Sequence, residues 1–358
     1  MSVFYVYLPV LVSAYLLTGL MALQPVFSIA GTMAILPQLG IGMAAVLLGG
    51  RHLLWGVFIG ELLLQLLANH PLWTLPWYAA GQTAAVAVGA WLLGRGQRHD
   101  IFMLRTQQDV LLLLASVGLG VSVLAASTDM VLLGSSFRHG FNLWVAHTLG
   151  ILAVFPLLLS WLRPCELQRP LNQAYFLEAG LLTASTVLIG AIVFLALLPW
   201  EMDLYPVVFA AFPFVGWAAL RFALRGTSAV SLLLTGLAII GTAQGVGAFH
   251  QGGMSQIWFF IATIVLSGLV FATFEYESMR IRAALAEEKS RFEAIFNAIP
   301  DAIVYTDTER LITGCNPSFS RIYGYQPDEM VGKSSAVLFA DLAVFHDLGH
   351  ALATTEDD

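Results

Sequence analysis

Polar and ionisable side chains are scarce inside the apolar stretches of this sequence, so each is a candidate for chemistry. Glu61, Gln65 and Asn69 stand at i, i+4 and i+8, a spacing that sets three polar groups along one helical face. Gln82, Trp144, His147 and Gln244 fall in later apolar stretches. An ionisable group in hydrocarbon costs roughly 2.5 to 3.5 kcal/mol on insertion scales, which makes Glu61 the first residue to explain. Together Glu61, Gln65, Asn69, Gln82, Trp144 and His147 could form a polar pocket that takes a small ligand or senses protons. The competing reading is interhelical hydrogen bonding, worth about 0.6 kcal/mol per pair on average. A proton sensor needs one titrating group, and three polar residues on one face exceed that, which favours a ligand.

Other chemistry finds no footing. His147 has no second His or Cys at ligand spacing, so no metal site is expected, and no cofactor is evident. The sequence contains no glycine-rich loop ending in Lys-Ser/Thr, no His-Glu-x-x-His and no nucleophile elbow. No catalytic activity is expected of these residues.

The elements that must position the polar residues follow from composition. The chain has 358 residues, 58% apolar and 11% charged, against roughly 25% charged in a soluble domain. Apolar stretches of about 20 residues, each able to cross a ~30 Å hydrocarbon core, recur along it. The spans read as 3–22, 27–49, 52–68, 76–94, 110–127, 142–162, 175–199, 206–222, 227–248 and 256–275. Pro37 followed by Gly40 predicts a kink or break in the second, its freed backbone groups satisfied by neighbouring helices. Small residues between Gly81 and Ala90 suit close helix packing in lipid. The N-terminus lacks a basic n-region and a cleavage site, so the first stretch reads as a retained span.

Charge sets the orientation. With the N-terminus inside, inner loops hold Arg51, Arg95, Arg98, Arg105, Arg163, Arg169, Arg221 and Arg225, and outer loops hold only Arg138. That asymmetry follows the positive-inside rule and places both termini in the cytoplasm of a bacterial inner membrane. Glu61, about ten residues from Arg51, then lies roughly 15 Å deep. Cys165 and Cys315 both fall on the reducing side, so no disulfide is expected. The net charge of -7 belongs to the tail: residues 1–275 hold nine Lys/Arg and nine Asp/Glu of the chain's 16 and 23. Without a basic face, nucleic acid is not expected as a partner.

After the last span, Phe274, Ile281, Leu285, Phe292, Ile295 and Ile299 follow heptad spacing, interrupted at Ser278 and Glu288. This predicts a continuous helix over 276–299 that pairs with a second copy. The alternative is an amphipathic helix lying on its own domain. Beyond Pro300, two alternating strands, 302–306 and 311–315, flank the polar turn Asp307 to Arg310. Asn316 before Pro317 is an N-cap with proline at the first helical position, and Gly324 ends that helix. Pro327 opens a second short helix, with Asp328 and Glu329 in its first turn and Gly332 past its end.

The run FEAIFNAIPDAIVYTDTERLITGCNPSFSRIYGYQPDEMVGK is similar to the opening half of the PAS sensor family, with an entry helix, two strands, the Asn316-Pro317 cap, Phe319, Gly324-Tyr325 and the Glu329 to Gly332 turn. The strands that would close a PAS sheet are not legible in 341–358. Residues 1 to about 275 resemble the first family of membrane-associated sensor (MASE-type) domains, through Leu36-Pro37-Gln38-Leu39-Gly40 leading into LLGGRHLLWGVFIGELL, then GQTAAVAVGAWLL and NLWVAHTLGILAVFPLLLSW. His147 and Gln82 stand where that pattern would have Asp and Asn. The expected fold is therefore an all-α polytopic membrane bundle of about ten transmembrane helices with a C-terminal α/β PAS-like fragment. Its expected parts are a membrane sensor domain (1–275), a signalling helix (276–299) and a truncated PAS domain (290–358). The resemblances imply a sensory input module that feeds a diguanylate cyclase, a cyclic-di-GMP phosphodiesterase or a histidine kinase. A small-solute transporter with a regulatory tail is the rival reading, although no matched pair of helix breaks marks the two halves.

Overall fold

The computed structural model describes residues 2–24, 28–29, 32–94, 104–163, 172–197, 205–250 and 253–347. Arg95, Arg98, Cys165 and Arg169, used above for orientation and redox state, lie outside them. The chain divides into two compact units, Met1–Met279 and Arg280–Asp358.

Among the described residues, the regular structure of the first unit is helical apart from one small hairpin. Its helices are α1 (Ser2–Leu23), α2 (Gln38–Gly49), α3 (Leu54–Leu67), α4 (Leu75–Gly94), α5 (Gln107–Ala115), α6 (Ser122–Leu133), α7 (Phe137–Leu162), α8 (Gln173–Phe194), α9 (Phe212–Ala243) and α10 (Met254–Ala298), the last running on into the second unit. Local chemistry sets several ends. Thr106 and Asp109 form a reciprocal capping box on α5, Ser136 caps α7, Asn172 caps α8, and Gly134 stops α6 in the left-handed conformation at φ 59°. In the interior, α2 packs between α7, α4 and α1, while α3 packs on α1 and α4, and α6 on α4 and α7. Tyr15, Met43, Phe155 and Ile151 are fully buried there. Large apolar side chains such as Leu119, Val131 and Phe259, each 75% exposed or more, face outward. That pattern fits lipid as the surrounding solvent, and the chain is a multi-pass membrane protein.

Crossing length is uneven, and the expected count of about ten spans is not confirmed. Among the described residues five helices are long and apolar enough to cross a membrane: Gln107–Leu133, Phe137–Leu162, Gln173–Phe194, Pro206–Ala243 and Met254–Ala298. The expected second and third spans become α2 and α3, of 12 and 14 residues, or roughly 18 and 21 Å at 1.5 Å per residue. Both are cut short by backbone that cannot stay helical, Pro37 before α2 and Gly50 at φ 106° between them. The expected fifth span is one helical column, α5 and α6 joined by a π turn over Ser116–Val121. The eighth and ninth are two helices within α9, meeting at a break at Ala223 (φ 49°, ψ −144°) between the two expected spans. There the chain turns sharply: a Cβ on Gly226 would lie 3.4 Å from the Ala218 carbonyl oxygen, where eight residues of straight helix would separate the two by about 12 Å. Arg221 and Arg225 flank this break, the first paired with Glu178 of α8, the second donating from Nε to the Ser160 carbonyl of α7 at 2.8 Å.

The break expected at Pro37 is present, and neighbouring helices tie down the non-helical backbone before it. The segment makes the two-residue strands β1 (Ser28–Ile29) and β2 (Thr32–Met33), paired antiparallel. Leu36 N–H then donates to the Ala146 carbonyl of α7 at 2.9 Å, and the Trp258 indole donates to the Ala34 carbonyl at 2.9 Å. Irregular backbone within a bundle requires such partners. The approach to α7 depends on Gly150, because a Cβ there would run into the Leu36 carbonyl.

In the second unit, β3 (Val304–Thr306) and β4 (Ile312–Cys315) pair antiparallel, with Val304 opposite Cys315 and an irregularity after Tyr305. They are followed by α11 (Pro317–Tyr323) and α12 (Pro327–Met330) over a core of Ile312, Phe319 and Met330. Asn316 is fully buried. Its side-chain oxygen accepts from Phe319 N–H at 2.9 Å and Ile303 N–H at 3.0 Å, while its amide donates to the Asp301 carbonyl at 2.8 Å. One side chain thus caps α11 and fixes the strand entry. Gly324 closes α11 at φ 79°. Burial pushes the Cys315 thiol pKa up. The seam residues Ile281, Leu285, Phe292 and Ile295 are each more than half exposed.

Replacing Gly150 with Ala should force the Leu36 segment off α7. We expect a loss of about 1–3 kcal/mol, typical of overpacking, seen as a lower thermal midpoint of the detergent-solubilised protein. An unchanged midpoint would mean that the close approach is not required.

Candidate functional site

Two buried carboxylates organise the polar interior. Glu61 lies in the middle of α3, 3% exposed. Its Oε2 accepts the Tyr15 hydroxyl of α1 at 2.9 Å, and its Oε1 accepts the Gln65 amide, one turn on, at 2.6 Å. The approach of α1 is set by Gly60, where a Cβ would lie 3.1 Å from the Tyr15 ring. Asp129, on α6, accepts the Gln82 amide of α4 on Oδ1 at 2.9 Å and meets Nε2 of His147 from α7 on Oδ2 at 3.2 Å. Each carboxylate therefore draws a donor from a second helix, and Asp129 draws its two from two different helices.

Between these pairs lies a cavity of about 160 Å³ lined by Tyr15, Gln38, Glu61, Gln65, Gln82, Asp129 and His147. Toward one end of the bundle its wall passes to Thr32, His70, His139 and Asn142, at or near the chain connections there. Three buried polar atoms on the wall have no hydrogen-bond partner: Gln38 Oε1, Gln82 Oε1 and His147 Nδ1. Buried polar atoms are usually paired, so three on one wall mark a place shaped for something polar.

The structure thus brings together four of the six residues read from the sequence, Glu61, Gln65, Gln82 and His147. It leaves two outside. Helix α3 ends at Leu67, so the i+8 register is lost and Asn69 sits exposed in a left-handed turn at φ 59°. Trp144 is drawn away from the cavity because its indole donates to the Gly118 carbonyl of the π turn at 2.8 Å. It lines a separate lateral groove with Phe137, Phe141 and Met130. Gln244 caps the end of α9, exposed.

Sequence reasoning missed Asp129, Tyr15 and Gln38. Asp129 escaped because the apolar run was read as ending at 127, whereas the helix continues to Leu133. The stop at Gly134 and the cap at Ser136 were the available signals. Among the described residues, no three His, Cys, Asp or Glu group as metal ligands.

Comparison with known families places these helices. The MASE1 family model matches residues 6–277, about three quarters of the chain and every residue of the cavity. The chain belongs to the MASE1 family. A PAS fold model matches residues 290–350. No curated protein and no solved structure matches the chain. The MASE1 segment followed by PAS makes the protein a membrane sensory input module.

In this MASE1 domain Asp129 meets two buried partners, Gln82 and His147. Asp129→Leu should leave Gln82 Nε2 and His147 Nε2 unpaired, at about 1–3 kcal/mol for each buried group. The thermal midpoint should fall well below that of Asp129→Asn, which keeps one acceptor. Equal midpoints for the two variants would contradict the bridging role.

Proposed function

We propose that the cavity between Glu61 and Asp129 is the input site of the MASE1 receptor and that its occupancy is carried through α10 to the PAS segment. The observation that carries this reading is the set of unpartnered buried acceptors on the wall of a cavity whose carboxylates bridge α1, α3, α4, α6 and α7. A ligand that engages them changes the hydrogen bonding of several helices at once, which is what a sensor requires of a binding event.

The membrane is read as the bacterial inner membrane, with both termini cytoplasmic and the cavity entered from the periplasmic end. Among the described residues, Arg51, Arg105, Arg163, Arg221 and Arg225 sit at helix junctions or breaks, and Arg138 lies at the opposite end of α7 from Arg163, which supports that orientation. The exposed stripe of Ile281, Leu285, Phe292 and Ile295 supports pairing of two copies through the 276–299 helix. The output is cyclic-di-GMP turnover by a diguanylate cyclase or phosphodiesterase domain, or a histidine kinase in its place. No catalytic step is assigned to residues 1–358 and no nucleic-acid partner is invoked. Transport is the weaker reading, since the breaks at Pro37 and Ala223 are not matched between two halves.

The test is disulfide cross-linking in native membranes of chains in which Cys165 and Cys315 are serine and Leu285 is cysteine. A cross-linked dimer should form, and adding Glu61→Gln should change its rate several-fold. No dimer at 281, 285, 292 or 295 would remove the pairing, and a rate indifferent to Glu61 would remove the link between cavity and tail.

A further inference from the structure

The chemistry of the cavity wall restricts what enters it. The buried wall atoms without a hydrogen-bond partner are Gln38 Oε1, Gln82 Oε1 and His147 Nδ1. Gln82 donates its amide N–H to Asp129, and its buried carbonyl oxygen has no partner. Gln38 also presents an unpartnered Oε1. His147 meets the Asp129 carboxylate through Nε2, so in the neutral tautomer that donates there, the unpartnered Nδ1 offers a lone pair. All three side chains are more than nine-tenths buried. Beside them stand two carboxylates, and among the described residues of the wall no lysine or arginine answers them. The basic side chains on the wall are His70, His139 and His147, of which His147 is engaged with Asp129.

We infer that the cavity takes a small organic cation, an ammonium or guanidinium group on a short apolar body, seated between Glu61 and Asp129 with its N–H groups on Gln38, Gln82 and His147. This rests on the reading of the cavity as the input site. Ammonium carries three donors and guanidinium five, with no acceptor, so either satisfies the three open acceptors while neutralising carboxylate charge. An anion would meet two carboxylates where low dielectric strengthens repulsion. A neutral alcohol has one donor and leaves acceptors open. The volume of about 160 Å³ is close to that of an engineered apolar cavity, of about 150 Å³, that holds benzene. A ligand of only a few non-hydrogen atoms therefore fits. Leu36, Leu39, Leu64 and Leu143 on the same wall supply apolar surface for the body of such a molecule.

The test is calorimetric titration of the full chain in lipid nanodiscs with n-propylammonium and guanidinium, and with propionate and 1-propanol as size-matched controls at equal ionic strength. Saturable binding of a cation is expected, with no binding of propionate. Glu61→Gln should weaken that binding at least tenfold, and Gln38→Met, which removes an unpaired acceptor and should not harm folding, several-fold. Cation binding unchanged in both variants, or no saturable cation binding, overturns the proposal. Glu61-dependent binding of propionate or propanol in place of the cations overturns the ligand class and keeps the cavity as the binding site. If none of the four probes binds, both the class and the receptor reading of the cavity fall.

Discussion

A carboxylate inside hydrocarbon is tolerated only when other groups take over the hydration it loses, and this constraint shapes the membrane unit. Glu61 is answered by Tyr15 and Gln65, and Asp129 by Gln82 and His147. Because three of these four donors sit on other helices, the two acids fix α1 against α3 and α6 against both α4 and α7. Removing one partner leaves a buried polar atom without water, which is why such networks hold one arrangement of helices rather than many.

The backbone irregularities of the bundle follow the same rule of satisfied polar groups. Pro37 removes a donor before α2, and the exposed backbone around it is taken up by Ala146 and Trp258. The π turn at Ser116–Val121 frees the Gly118 carbonyl, which receives the Trp144 indole. The break at Ala223 lies beside Arg225, which reaches the Ser160 carbonyl. Each interruption thus tethers a short element to α7 or to α10, so a change at the cavity, whose His147 is also on α7, has a path through bonded groups.

How much of this was legible in the sequence depended on whether the signal was local. Asn316 before Pro317 and Gly324 after Tyr323 announced α11 because capping is decided within a few residues, and the Glu61–Gln65 pair was legible because i and i+4 share a face. Pro37 announced a break for the same reason. Asn69 failed because the i+8 extrapolation assumed that α3 continued, and its last turn unwinds at Ala68. Asp129 failed because hydropathy falls near the end of a span whether or not the helix does. Tyr15 carries no sequence signal, and Gln38 stands in a family-like run without being marked as a site residue; both reach the site only through tertiary packing. The expected second span, 27–49, hid how short α2 is, since the apolar run begins well before Pro37 whereas the helix begins only at Gln38.

The central claim is that Glu61, Gln65, Gln82 and His147 line a cavity open to solute from one end of the bundle, and cysteine accessibility tests it most directly. Single cysteines at 61, 65, 82 and 147, in a chain without Cys165 and Cys315, would be treated in intact cells with a small membrane-impermeant thiol reagent, with the exposed position 69 as the positive control. The account predicts labelling at 65, 82 and 147, slower than at 69, from the periplasmic side. Labelling at 69 alone would show a sealed packing network and contradict it.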